Sequence, residues 1–410
     1  MLFDYLLDPA VAPGDALAAL DGTRRMTRDE IAASATAFAG MMADHDVRPE
    51  TTVAYLMPNS LEMLAALLAG IRLQARILLL DPAMQPSEID GFSARAGARL
   101  ALVPKGAGRA LTTVPEVLEV PDVRELSSSK RPSGRLLPAV DGPDRTSFLY
   151  TSSGSTGLPK LVPSPAECLP VVLDLMNDTF PHVRGDRVAC MLPLFHAWGH
   201  RHMAALTLRF GTSVHFLSPA PRALAAAVQR DRISVLPLTP FILRLLVETE
   251  FNPMPDFSSL RTVICGGAPL TRRLSDRFQE KFGVPVLQLY GSTEAAMGMQ
   301  SEPEDWTPEL GWRWRPTQRV AVKVVTPEGR ELPDGEIGIL ALRNAACFTG
   351  YLDDPRASAE VLREGFVLTG DLGRRDADGR YSLLGRDRPM LNIAGKKASP
   401  AEIESCLRLH

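Results

Sequence analysis

The sequence predicts an α/β fold with two doubly wound αβ subdomains and a small antiparallel β-barrel subdomain. Up to about residue 305, short apolar runs alternate with amphipathic segments, a pattern typical of parallel sheets covered by helices. Residues 127–144 are rich in Ser, Pro, Gly and charge, which indicates a linker between two such regions. Beyond Trp306 the apolar residues alternate in the strand manner, with turn signals at Pro327-Glu-Gly and Pro333-Asp-Gly.

The first αβ subdomain is assigned to residues 1–140. A helix is expected over Thr27–Asp44, because apolar side chains recur there at helical spacing. The elements expected after it are a strand at Val53–Met57, a helix at Leu61–Leu73, a strand at Ile77–Leu80, a helix at Ser87–Ala96 and a strand at Leu100–Val103.

The second αβ subdomain is assigned to residues 141–305 and the β-barrel subdomain to 306–387. Strands are expected in the second subdomain at Val188–Leu192, Ser213–Leu217, Val235–Leu238, Thr262–Cys265 and Val286–Tyr290. In the barrel they are expected at Val320–Val325, Ile337–Leu342 and Tyr381–Leu384, with no helix of any length between them.

Composition favours a globular protein of the cytoplasm. Of the 410 residues, 45% are hydrophobic, and the net charge is −3, so a nucleic-acid partner has no electrostatic support. The N terminus carries acids where a secretory signal carries bases. Glu62 and Arg72 interrupt the longest apolar stretch, which is also too short to span a membrane.

The five cysteines are scattered and form no CxxC pair. This spacing favours neither a zinc site nor a disulfide framework. We expect reduced, buried cysteines.

A glycine-rich segment, Leu149–Lys160 (LYTSSGSTGLPK), follows a short apolar strand. Its glycines permit a tight turn whose N–H groups face an anion, and its hydroxyls and lysine add donors for a phosphate. The residues that carry this prediction are Ser152, Ser153, Gly154, Ser155, Thr156, Gly157 and Lys160. The segment contains neither a P-loop nor a dinucleotide fingerprint, and the alternative is a flexible Gly/Ser turn.

This loop resembles the phosphate-binding loop of the acyl-adenylate-forming superfamily, which includes acyl-CoA synthetases, peptide-synthetase adenylation domains and firefly luciferase. Further segments resemble the other motifs of that superfamily and follow in its order. They are Pro193–Gly199, Cys265–Leu270, Leu289–Glu294, Gly335–Gly338, Thr369–Leu372, Gly385–Arg386 and Asn392–Lys397. The similarity covers nearly the whole chain from about residue 27.

The resemblance implies a site for ATP and Mg²⁺. Tyr290 would stack on adenine, Glu294 would hold the metal and Asp371 would accept the ribose hydroxyls. The other implied nucleotide contacts, besides the loop, are Gly267, Ala268, Pro269, Gln288, Leu289, Gly291, Ser292, Thr293, Leu383, Arg386 and Lys397. The implied catalytic residues are Thr156, Lys160, His196, Thr293 and Glu294.

The resemblance also implies an acyl site. Its expected residues are His196, Trp198, Phe241, Gly266, Gly267, Ala268, Met297 and Gly298. The stretch His196–His200 carries no acid to hold a substrate amine, which favours a fatty or aryl acid over an amino acid. His196 and Trp198 have the alternative of being ordinary core residues.

The implied reaction is the activation of a carboxylic acid by ATP to acyl-AMP, with release of pyrophosphate and then thioester formation with CoA. A carboxylate attacking a phosphate brings two anions together, so the site needs cations and hydroxyl donors. The alternatives are a ligase that loads carrier-protein phosphopantetheine and an inactive nucleotide-binding scaffold. Residues 388–410 match only the hinge and the start of the small C-terminal domain. With that domain almost wholly absent, this chain alone is expected to adenylate poorly.

Overall fold

The computed structural model describes residues 1–107, 111–128, 143–152 and 160–387, and the backbone of two short strands at 391–393 and 396–398. It has a mixed α/β architecture with large sheets, so the predicted fold class is confirmed. The chain forms two compact units. The first comprises residues 1–151, 163–173 and 182–217, and the second comprises residues 152–162, 174–181 and 218–410.

The helices in chain order are α1 Leu2–Leu6, α2 Arg28–Asp44, α3 Leu61–Arg72, α4 Pro86–Ala96, α5 Val123–Ser128, α6 Cys168–Thr179, a π-helix at Gly199–Ala205, α7 Leu206–Arg209, α8 Pro221–Arg230, α9 Pro240–Glu248, α10 Arg272–Phe282, a 3₁₀ helix at Pro303–Asp305 and α11 Pro355–Val361.

The strands in chain order are β1 Leu17–Asp21, β2 Arg24–Thr27, β3 Thr52–Tyr55, β4 Arg76–Leu79, β5 Leu100–Pro104, β6 Glu116–Val120, β7 Ser147–Ser152, β8 Lys160–Pro165, β9 Arg187–Cys190, β10 Ser213–Phe216, β11 Val235–Leu238, β12 Thr262–Gly266, β13 Val286–Ser292, β14 Ala296–Ser301, β15 Trp306–Thr307, β16 Gly311–Pro316, β17 Ala321–Val325, β18 Gly338–Arg343, β19 Leu362–Arg363, β20 Phe366–Arg375, β21 Tyr381–Arg386, β22 Leu391–Ile393 and β23 Lys396–Ala398.

The first unit contains a parallel sheet in the order β6-β5-β3-β4-β7. All four residues of β3 are buried, as expected for a strand covered on both faces. Helix α2 starts at a capping box, in which Thr27 and Glu30 satisfy each other's backbone N–H groups. A second sheet has the order β2-β1-β10-β9, and its β1–β2 hairpin turns at Gly22, whose φ is +61°.

In the second unit, β11, β12 and β13 are parallel. Antiparallel strands follow in the order β14-β16-β21-β20-β18-β17. A core of Val325, Ile339, Ala341, Phe366 and Leu368 holds the antiparallel part together. The short helix α11 interrupts this region, where the sequence predicted no helix of any length.

The predicted elements that fall on described residues lie within about two residues of observed ones. The linker predicted at 127–144 falls largely outside the described residues, and the division at residues 140, 305 and 387 stays a prediction. Cys190 and Cys265 are buried and Cys168 and Cys347 partly exposed, and these four are free thiols. None of the helices that the structure describes combines the length and apolar character needed to cross a bilayer.

Candidate active site

The β13–β14 hairpin of the second unit carries a continuous run of predicted nucleotide and metal contacts, residues 288–294. Ser292 and Ala296 pair across it, and the hydroxyl of Ser292 accepts a 3.0 Å hydrogen bond from the N–H of Ala295. At Gly291 a Cβ atom would lie 2.2 Å from the carbonyl oxygen of Ala296. The backbone therefore turns so tightly that only glycine fits, which places Thr293 and Glu294 at the tip of the hairpin.

Tyr290 reaches across the sheet to Asp371 on β20. Its hydroxyl donates a 2.7 Å hydrogen bond to Oδ2 of Asp371, whose Oδ1 lies 2.8 Å from Nε of Arg386 on β21. Burial and the neighbouring Asp371 carboxylate raise the pKa of Tyr290, so the phenol stays a hydrogen-bond donor. The ring of Tyr290 packs edge-on against Trp314, with 6.0 Å between the ring centroids. The Asp371 carboxylate thus connects Tyr290 and Arg386, two side chains that were predicted separately.

Glu294 lies beside a second tyrosine. The hydroxyl of Tyr351 donates a 3.0 Å hydrogen bond to Oε1 of Glu294, and Nζ of Lys160 lies 4.8 Å from the centroid of the Tyr351 ring. Lys160 is only 6% exposed, and a cation at this distance from an aromatic face is attracted to it. The predicted metal ligand and the predicted phosphate-binding lysine therefore contact opposite parts of one side chain.

Several buried polar atoms in the second unit have no hydrogen-bond partner among the described residues, and Nε2 of Gln288 and Oγ of Ser152 are two of them. Gln288 precedes Tyr290 by two residues on β13, so both side chains lie on the same face of the sheet. Buried polar groups are costly unless paired, and a polar ligand on this face would satisfy Gln288.

The loop after β12 begins next to the same strand. Gly266 pairs with Leu289 in the parallel ladder, and Gly267 leaves the strand with φ at +81°. Gly267 and Pro269 are exposed and Ala268 is half-buried. The predicted nucleotide contacts at residues 267–269 thus lie beside the strand of Tyr290, at the carboxyl edge of the parallel strands, where open α/β sheets bind ligands.

The predicted acyl-site residues divide between the two units. In the second unit Phe241 is 45% exposed, whereas Met297 is only 1% exposed. A Cβ atom at Gly298 would come within 2.7 Å of Leu342, so close packing explains this glycine. Their role in holding an acid stays a prediction.

In the first unit, His196 is exposed, which argues against a core histidine. Trp198 is half-buried, and its indole N–H donates a 3.0 Å hydrogen bond to Nδ1 of His202. Indole only donates, so His202 accepts at Nδ1 and is neutral. Burial and the nearby His182 hold the pKa of His202 well below its usual range, which agrees with this protonation state.

Sequence reasoning missed a buried polar cluster on the π-helix. His200, Arg201 and His202 are each at most 3% exposed. Nδ1 of His200 shares a 2.8 Å hydrogen bond with the hydroxyl of Tyr150, and the Arg201 guanidinium lies 4.8 Å from the same ring. A run of His-Arg-His indicates a solvated surface, so no sequence signal marked these side chains as buried.

The other predicted residues differ in their exposure, and some lie outside the described residues. Ser292, Thr293 and Leu383 are half-buried, and Leu289 is buried. The predictions for Ser153, Gly154, Ser155, Thr156 and Gly157, and for the side chain of Lys397, lie outside the described residues. No group of three or more potential metal ligands occurs in the part of the chain that the structure describes.

This chain is similar to a known protein family, to characterised enzymes and to solved structures. The family model described as AMP-binding enzyme matches residues 8–352. 4-Coumarate–CoA ligase 5 of Oryza sativa subsp. japonica is 29% identical over 100% of this chain and 80% of its own length. A feruloyl-CoA synthase of an Amycolatopsis species is 30% identical over 95% of this chain and 79% of its own length. The crystal structure of ATP-bound MatB from Rhodopseudomonas palustris has a TM-score of 0.82 at 25% identity and covers 98% of this chain and 82% of its own.

Proposed function

The chain belongs to the AMP-binding enzyme family, and we propose that the side chains around Tyr290 and Glu294 hold its nucleotide. It is an AMP-forming acid–thiol ligase, which activates a carboxylic acid with ATP to acyl-AMP and then forms the CoA thioester. The observation that carries the site proposal is the bridge from Tyr290 through Asp371 to Arg386.

In the proposed complex, Asp371 accepts hydrogen bonds from the ribose hydroxyls. A carboxylate has several acceptor positions, so it can take these bonds while it keeps Arg386 as a partner. The aromatic face of Tyr290 provides a flat apolar surface for adenine. The buried amide of Gln288, on the same face of β13, supplies a donor that has no hydrogen-bond partner among the described residues.

The phosphate end lies at Lys160 and Glu294. Mg²⁺ typically takes one or two carboxylates and completes its shell with water and phosphate oxygens, so Glu294 fits that role without a cluster of acids. When bound, the metal would neutralise charge on the phosphate groups. Lys160 adds a positive charge over the ring of the tyrosine whose hydroxyl binds Glu294, Tyr351. These groups would reduce the repulsion between the incoming carboxylate and the α-phosphate.

We further propose that the acid has an apolar body, either an aryl ring or a fatty chain. The exposed Phe241 in the second unit is a large apolar side chain with surface left to contact a ligand. The two named relatives are a 4-coumarate and a feruloyl ligase, both of which act on aryl acids by their names.

Calorimetry with the full 410-residue chain tests the nucleotide site. ATP is titrated into the protein with Mg²⁺ and, separately, with EDTA, and GTP is used in place of ATP as the base-specificity control. We expect one saturable ATP site that is tighter with Mg²⁺, and weaker binding of GTP. If ATP fails to bind under both conditions, the proposed site is wrong.

A second measurement tests the acid class. Pyrophosphate release is followed with 4-coumarate, ferulate, octanoate and phenylalanine under the same conditions. We expect release with at least one of the first three acids and none with phenylalanine. Release with phenylalanine alone would overturn the proposed acid class and leave the nucleotide site standing.

A further inference from the structure

Tyr351 contacts both Glu294 and Lys160 in the second unit. Its hydroxyl donates to Oε1 of Glu294 at 3.0 Å, and its ring faces Nζ of Lys160 at 4.8 Å. An ionised carboxylate only accepts, so the Tyr351 hydroxyl is the donor in this hydrogen bond. The side chain itself is 9% exposed and packs edge-on against Phe348, 4.8 Å away between ring centroids.

The backbone around Tyr351 is tied to the same two regions. The N–H of Phe348 donates to the carbonyl oxygen of Glu294 at 2.8 Å. The N–H of Leu352 donates to the carbonyl oxygen of Leu161, the neighbour of Lys160 on β8, at 3.0 Å. The segment 348–352 therefore joins the tip of the β13–β14 hairpin to the start of β8 through backbone as well as side-chain contacts.

Helix α11 holds this segment from the other side. The hydroxyl of Ser358 accepts a 2.8 Å hydrogen bond from the N–H of Tyr351 and donates a 2.6 Å bond to the carbonyl oxygen of Asp354. Asp354 itself caps the helix by accepting from the N–H of Ala357. Tyr351 is thus fixed at its backbone, its ring and its hydroxyl, which leaves it little rotamer freedom.

We propose that Tyr351 is a positioning residue that sets the carboxylate of Glu294 and the ammonium of Lys160 relative to each other. This inference rests on the proposed function, in which Glu294 receives the divalent cation and Lys160 the phosphates. The hydroxyl orients the carboxylate, and the ring orients the ammonium. Hydrogen-bonded partners of metal ligands commonly matter in this way, because they fix the ligand before the metal arrives.

Two substitutions at Tyr351 separate the two contacts. Tyr351→Phe removes the hydroxyl and keeps the ring, whereas Tyr351→Leu removes both. Mn²⁺ binding in the presence of ATP is measured by electron paramagnetic resonance, and metal-free ATP binding by calorimetry in EDTA. For Y351F we expect Mn²⁺ affinity to fall roughly tenfold with metal-free ATP binding unchanged. For Y351L we expect both to fall.

Tyr381→Phe is the matched control. Tyr381 is also buried, and its hydroxyl donates a 2.8 Å hydrogen bond to the carbonyl oxygen of Val322, away from Glu294 and Lys160. The Y381F substitution should change neither Mn²⁺ binding nor metal-free ATP binding. In a Glu294→Gln background, Y351F should have no further effect on Mn²⁺ binding, because the two residues act through one contact.

Ser358→Ala provides a second variant if Y351F does not fold. It loosens the backbone of Tyr351 and keeps both side-chain contacts, and it should weaken Mn²⁺ binding by a smaller factor. If folded Y351F binds Mn²⁺ as tightly as the wild type, the positioning role of Tyr351 is wrong. If Y351F does not fold, wild-type Mn²⁺ binding by S358A has the same meaning. Either result overturns the role of Tyr351 and leaves the proposed function standing. Failure of the unaltered protein to bind ATP with Mn²⁺ would instead overturn the proposed function.

Discussion

Oδ2 of Asp371 accepts a 2.7 Å hydrogen bond from the hydroxyl of Tyr290, although the two residues are 81 positions apart. The contact joins a strand of the parallel sheet, β13, to a strand of the antiparallel part, β20. Since Arg386 occupies the other carboxylate oxygen, the carboxylate is held in place before any ligand arrives. A preorganised group loses less freedom on binding, so we expect substitutions here to affect nucleotide affinity strongly.

Asp371→Asn should weaken ATP binding. The amide keeps the shape of the side chain but removes its charge and one of its two acceptors, so the ribose hydroxyls lose a charge-assisted partner. We expect roughly a tenfold increase in the dissociation constant, measured by calorimetry. Asp378→Asn is the control, because Asp378 pairs with Arg313 at an exposed position. Equal affinities for D371N and D378N would contradict the assignment.

Tyr290→Phe and Tyr290→Leu should differ. Phenylalanine keeps the aromatic face and loses only the bond to Asp371, whereas leucine loses the face as well. Stacking of a base on an aromatic side chain contributes about 1–3 kcal/mol. Calorimetry should therefore show a modestly higher dissociation constant for ATP in Y290F. The dissociation constant in Y290L should be at least about fivefold higher than that in Y290F. If leucine serves as well as phenylalanine, the base does not stack on this ring.

Gly291→Ala should destabilise the hairpin. The added Cβ would lie 2.2 Å from the backbone oxygen of Ala296, so strands β13 and β14 must separate. Overpacking of this kind typically costs about 1–3 kcal/mol of unfolding free energy. Gly91→Ala is the matched control, since a Cβ there meets nothing within 4 Å and the residue lies within α4. Thermal unfolding should show a lower midpoint for G291A and an unchanged or higher one for G91A.

Stability should fall as the pH is lowered below about 6.5. Burial, together with the adjacent Arg201, lowers the pKa of His200 to about 3. Between roughly pH 3 and 6.5 the unfolded chain binds a proton that the folded protein excludes, so acid favours unfolding in this range. Above it, both states are neutral at this histidine and the effect vanishes.

His200→Gln should flatten this dependence. The amide can still hydrogen-bond to Tyr150 but takes up no proton. Urea unfolding at pH 5.5 and 7.5 measures the change in unfolding free energy for each protein. We expect the unfolding free energy of the variant to fall less on acidification, by up to about 1.4 kcal/mol. If the unfolding free energy falls equally in the wild type and in H200Q, protonation of His200 does not destabilise the folded protein.

The parallel strands could be predicted because they are short apolar runs bounded by turn signals. Val235–Leu238 was located without error, and all four of its residues are buried. The hairpin of β1 and β2 was missed, although Asp21-Gly22 between two runs is the usual signal for such a turn. Strand β20 was missed because Gly370 and Asp371 interrupt its apolar pattern.

Much of the candidate site was named from motifs, since each motif is a continuous segment. The contacts between motifs could not be predicted in this way. Nothing in the sequence indicates that Tyr351 reaches Glu294, 57 positions earlier, or that Tyr290 reaches Asp371. Such pairings depend on strand order and on the turn at Gly291, which local spacing does not encode.

Because Gly199–Ala205 forms a π-helix, the number of residues per turn in this segment decides which side chains point into the core. A π turn accommodates more residues than an α turn, and here it continues directly into α7. Loss of one residue would relax the segment to ordinary helix and rotate the side chains before it by roughly 100° relative to those after it. Trp198 and the His-Arg-His run would then point elsewhere with every amino acid still present, so in this part of the chain the number of residues matters as much as their identity.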